Sequence, residues 1–175
     1  MKRSLRTVGP IAALATFVAV ATAAVTAGDQ ADGAVAKQLL GTWRLVNWTQ
    51  HLADGTERPA ATDAGILIYT EVNRMCAMIM DSRRAKWAPG PPASVEDAVR
   101  RNAGYVSYCA TVELNAKEGF ILHHVDLERN PNVIGTTRKR WFSFQGPDTL
   151  RLRIDAAELP ASVKESVLVW QRVVK

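Results

Sequence analysis

The chain has 175 residues, two cysteines and a formal net charge of +5 at pH 7. Lys2, Arg3 and Arg6 crowd the extreme N-terminus; without residues 1–27 the net charge falls to +2, so the basic balance is no argument for a nucleic-acid partner. Cys76 and Cys109 alone cannot complete a structural zinc site, and neither a metal nor a cofactor is expected.

In chain order, MKRSLRTVGPIAALATFVAVATAAVTAGDQ comes first: a basic start, an apolar run from Val8 to Val25, then small residues. This is the pattern of a secretory signal peptide, with cleavage expected after Ala23 or Ala27. The Ala and Thr content makes the run too weakly hydrophobic to read as a retained anchor. No cysteine lies near the cleavage site to carry a lipid, so the mature protein is expected to have no stable membrane anchor and to be periplasmic or secreted. The division is residues 1–27 as signal peptide and 28–175 as one domain, large enough to bury about two-thirds of its unfolded surface.

From Leu39 onward, short segments of alternating apolar and polar residues are separated by turn formers. Strands are expected at Thr42–Gln50, Gly65–Thr70, Arg74–Asp81, Gly104–Asn115, Gly119–Glu128, Thr136–Gln145, Thr149–Asp155 and Ser166–Val174. Asp54-Gly55, Asn73, Asn115 to Gly119 and Gln145 to Asp148 supply the tight turns. The one long connection, Ser82 to Ala103, should hold a short helix: Ser94 can cap it, Glu96 and Asp97 fall in its first turn, and Arg100 and Arg101 in its last. About eight antiparallel strands with short turns can close into an up-and-down barrel, which removes exposed edges and encloses room for one small ligand. A sandwich is the alternative architecture.

Gly41-Thr42-Trp43 opens the first strand, and Trp170-Gln171-Arg172 closes the last. This resembles the calycin pattern, which implies that Trp43 plugs the barrel floor and Arg172 packs over its ring. The motifs GTWRLVNW, GILIYT, RMCAMIM, GYVSYCATVEL, HHVDLERNPNVIGT and RKRWF, in that order, resemble the bacterial and fungal lipocalin-like domain family over nearly the whole mature chain. The resemblance implies fold far more than function, since calycins range from carriers to enzymes. Cys76 and Cys109 depart from the pattern, where small residues are expected, and the turn at Glu71–Arg74 lacks a glycine, leaving Asn73 as the left-handed residue. Export and antiparallel neighbouring strands point to a Cys76–Cys109 disulfide, with two buried free thiols as the alternative.

The candidate site follows from strand periodicity. In FILHHVDLE, His123 shares a face with Ile121, Val125 and Leu127, and His124 with Asp126 and Glu128, so His123 is expected inside and His124 outside. Adjacent strand residues cannot readily grip one metal. Arg138 and Arg140 share a face with Phe142 and Phe144, and an unpaired buried guanidinium is costly, so an anionic ligand or an internal carboxylate must partner them. Tyr108 lies on the face of Ala110, Val112 and Leu114, with its hydroxyl available to His123 or a ligand; Tyr69 is a further lining candidate. These residues describe a site for a small, mostly hydrophobic molecule bearing a carboxylate, phenolate or enolate. The alternative is an enzyme of isomerase, cyclase or hydrolase type acting on a hydrophobic small molecule, with His123 as acid or base.

Overall fold

In the computed structural model, which describes residues 27–174, an antiparallel sheet curls until its first long strand pairs with its last. The strands are β1 (Gly41–Leu52), β2 (Glu57–Pro59), β3 (Ala64–Tyr69), β4 (Arg74–Met80), β5 (Tyr105–Asn115), β6 (Phe120–Glu128), β7 (Thr137–Phe144), β8 (Thr149–Asp155) and β9 (Val163–Arg172). Each strand from β3 to β9 pairs with the next, and β1 closes the ring by pairing with β3 through Gly41–Arg44 and with β9 through Trp43–Leu52. β2 is a three-residue addition to the outer half of β1, so the closed barrel has eight strands. The expected strands are all present; β2 was not expected.

Alternation puts Leu150, Leu152 and Ile154 of β8, Met75, Ala77 and Ile79 of β4, and Ser166, Leu168 and Trp170 of β9 inside. Met78 and Met80, on the other face of β4, are exposed. Asn73 takes a left-handed conformation, with φ of 54°, in the β3–β4 turn. Cys76 and Cys109 face each other directly across β4 and β5 and form a disulfide, with their Cα atoms 4.1 Å apart.

Among the described residues, two α-helices accompany the barrel. α2 (Val95–Asn102) lies in the long connection, and the Ser94 side chain caps it by accepting from the Asp97 N–H. α1 (Ala27–Leu39) was not expected; the signal-peptide segment 1–27 lies outside the described residues except for Ala27, where α1 begins. Among the described residues, no helix is long and apolar enough to cross a membrane.

α1 reaches the barrel at the end where β1 begins. Leu39 is buried against Trp43, whose indole N–H donates to the Leu39 carbonyl at 2.8 Å. The Arg172 guanidinium stacks over the Trp43 ring, 4.1 Å from its centroid, and donates to the carbonyls of Gln38 and Leu40 at 2.6 and 2.7 Å. A cation at a helix C-terminus satisfies carbonyls that have no partner within the helix. Arg172 therefore joins the last strand, the first strand and the helix end at one point.

One expectation about strand faces is overturned. β6 carries a bulge: Val125 pairs with Ala110 and Leu127 with Cys109, which leaves Asp126 as an extra residue without a partner on β5. The alternation reverses beyond it. Leu127, expected inside, is 60% exposed, and the Glu128 side chain, expected outside, is only 6% exposed and sits opposite Tyr108. Arg74 of β4 holds the Asp126 carboxylate on the outer face with both of its terminal nitrogens, a tertiary contact that local alternation cannot encode.

Candidate functional site

His123 is 0% exposed and lies between two tyrosine hydroxyls, with Tyr69 Oη 2.9 Å from Nε2 and Tyr108 Oη 3.0 Å from Nδ1. The three side chains come from the C-terminal end of β3 and the middles of β5 and β6, and the barrel's curvature brings them together across its interior. Burial, reinforced by the positive charges of Arg140 and Arg138, drives the imidazole pKa well below its ordinary value, and burial likewise drives the Tyr69 phenol well above its own. At neutral pH the imidazole is uncharged, with one nitrogen protonated and the other an acceptor.

His124, one residue on, points outward. Its Nε2 lies 3.1 Å from a Glu113 carboxylate oxygen and its Nδ1 2.9 Å from the Thr137 hydroxyl.

The two arginines are met by internal carboxylates. Arg140 is buried, and its Nη1 donates to Glu158 at 2.7 Å and to the Lys139 carbonyl at 2.6 Å. Glu158 ends a single 3-10 turn, Ala156–Glu158, between β8 and β9. It also accepts from the Lys139 backbone N–H at 2.9 Å, at a point beyond the end of the β7–β8 ladder. Arg138 lies 3.4 Å from Glu128 and covers the Tyr108 ring, 4.4 Å from its centroid. Of the two partners the sequence allows for a buried arginine, an anionic ligand or an internal carboxylate, the fold provides the second.

Beside this cluster the interior leaves a cavity of about 80 Å³, walled chiefly by apolar residues such as Leu67, Ile79, Leu152 and Leu168, with Tyr108, Arg138, Arg140 and Trp170 also in its wall. Trp48 also borders it, but its N–H is spent on the Ser166 hydroxyl at 2.5 Å. The Trp170 N–H is buried and has no hydrogen-bond partner among the described residues. A second space, of about 320 Å³, lies under α1 and touches Tyr69, Val112 and Leu114. The Tyr69–His123–Tyr108 chain thus runs from one space to the other.

His123, Arg140, Tyr108, Arg138 and Tyr69 all converge on one interior region, while Trp43 and Arg172 sit apart at the α1 end. Sequence reading missed Glu128, Glu158 and Trp170. Glu128 was hidden by the bulge, and Glu158 approaches from a connection with no periodic pattern. For Trp170 a signal existed, since β9 alternation places it inward with Leu168 and Ser166.

These features define a closed antiparallel β-barrel with a polar cluster set in an apolar interior, a class whose members can hold one small ligand. The chain belongs to the lipocalin-like domain family, whose model matches residues 40–173. Among solved structures it is similar to a redesigned β-barrel, at 11% identity over 79% of this chain and 95% of that one, with a TM-score of 0.39. It is also similar to a fluorescence-activating β-barrel designed de novo, at 12% identity over 79% of this chain and 97% of that one, with a TM-score of 0.41. No curated protein matches the chain.

Proposed function

We propose that this is an exported carrier or binding protein that takes a small, mostly hydrophobic molecule in the barrel interior and orients its polar end at His123, Tyr108 and Arg140. The observation that carries the reading is the buried Tyr69–His123–Tyr108 chain beside a cavity with mostly apolar walls. An apolar pocket with a few convergent polar groups is the usual form of a small-molecule site. The cavity of about 80 Å³ is smaller than the ~300–1,000 Å³ of drug-sized sites, so it receives only the head of the ligand. Export rests on the character of residues 1–27 and is supported by the disulfide, which persists in an oxidising compartment.

Native mass spectrometry of protein recovered from its own host tests both parts. A retained small molecule, and a mass lacking the first 23 or 27 residues, are expected. In binding assays with the released molecule, His123→Gln should weaken affinity and His124→Gln should leave it unchanged. Equal sensitivity at the two histidines would overturn the reading.

A further inference from the structure

We propose that the space between α1 and the barrel is a second binding site, which takes an uncharged apolar molecule about the size of naphthalene. The proposal goes beyond the His123 site, and neither site requires the other.

The space follows from how α1 is held. Its C-terminal end is fixed where Trp43 donates to the Leu39 carbonyl and Arg172 to those of Gln38 and Leu40. Toward its N-terminal end, the Asp32 carboxylate accepts from the Ala116 N–H at 2.7 Å, just past the end of β5. Asp32 and Leu39 are separated by about two helical turns, or ~10 Å along the axis. Between these anchors, the helix borders the space with Gly33 and Ala36, and a Cβ added at Gly33 would meet nothing within 4 Å. Both ends of the helix are therefore tied down while its middle leaves a gap. On the barrel side, Tyr108, Ala110, Val112 and Leu114 share one face of β5, yet only Tyr108 and Ala110 are buried. Val112 and Leu114 border the space and stay half-buried.

Volume sets the size of the occupant. An apolar void of ~150 Å³ holds benzene, and the space under α1, about 320 Å³, is roughly twice that. It falls in the ~300–1,000 Å³ range of small-molecule sites, which the inner cavity does not reach. Charge sets the chemistry. Asp32 is engaged with the Ala116 N–H, and Arg74 with Asp126 and the Thr111 hydroxyl, so the charged groups at the edge are already met. An ionised ligand would give up hydration without gaining an unmatched partner, whereas an apolar one gains contacts with Leu39, Val112 and Leu114 and loses little.

The test titrates the natural protein, carbon-13-labelled at its Leu, Val and Ile methyl groups, with naphthalene and with 2-naphthoate. Naphthalene should shift the methyl resonances of Leu39, Val112 and Leu114 saturably, and 2-naphthoate at the same concentration should shift them less. Ala36→Phe puts a ring into the space and should abolish the naphthalene shifts. Ala34→Phe, at an exposed position away from the space, should preserve them. If Ala36→Phe does not fold, the pattern of shifts in the natural protein decides. Shifts confined to Ile79, Leu152 and Leu168 would overturn the second site while placing the probe in the inner cavity, where the His123 reading survives. No shift at any of these methyls up to the solubility of naphthalene, or shifts that persist in Ala36→Phe, would also overturn it. Equal response to 2-naphthoate would overturn the assignment of an uncharged ligand.

Discussion

The pH dependence of stability should carry the signature of His123. The imidazole is fully buried, and its pKa is held well below the ordinary 6.5 by desolvation first and by Arg140 and Arg138 next. The unfolded chain has no such restraint and takes up a proton below about pH 6.5. Below that pH the unfolded state binds a proton that the native state refuses, so stability falls as pH falls, until the native imidazole itself titrates. Above about pH 6.5 both states are neutral at this residue and the contribution is constant. The limiting slope for one such histidine is ~1.4 kcal/mol per pH unit, so the native state should lose on the order of 1 kcal/mol between pH 7.5 and pH 5.5 through His123. Denaturant unfolding at pH 7.5, 6.5 and 5.5, run in parallel on the natural protein and His123→Gln, isolates this term. Subtracting the two proteins removes the titration of His51, His124 and the surface carboxylates, and the change of the difference with pH removes the pH-independent cost of the substitution. That difference should shrink by on the order of 1 kcal/mol toward acid pH. If it stays constant across the series, the native imidazole titrates as it does in the unfolded chain; if it grows toward acid pH, the native imidazole is protonated; either result makes the neutral Tyr–His–Tyr chain wrong.

Reducing the Cys76–Cys109 disulfide, which joins residues 33 apart, should lower stability by ~3–4 kcal/mol in the chain-entropy model, read as a fall in denaturation midpoint with reductant. Arg172→Met should cost ~2 kcal/mol, because it removes both the stack on Trp43 and two charged hydrogen bonds to the end of α1. Its ligand preference should be unchanged; unchanged stability with lost binding would refute the structural role. Glu158→Gln should destabilise by roughly 2 kcal/mol, less than the ~3–5 kcal/mol of a fully buried pair because Glu158 is 29% exposed. A loss below about 0.5 kcal/mol, the range of ordinary surface changes, would mean that Glu158 does not balance Arg140.

The sequence by itself determined the strands, because period-two alternation states which side chains are apolar whatever surrounds them. It placed His123 inward and His124 outward from five neighbouring residues, and the first half of β6 obeys that rule. It also specified α2, whose cap and charges lie within a few residues of one another. Tertiary structure alone decided the rest. The bulge at Asp126 depends on Arg74, 52 residues away, and it turns Glu128 inward to meet Arg138. Glu158 reaches Arg140 from the far side of β8, and α1 has a docking place only once Trp43, Leu39 and Arg172 have been assembled from both ends of the chain. Local pattern shows which face a residue prefers; which donors remain unpaired inside the barrel depends on contacts between distant segments, and these exist only when the sheet has closed.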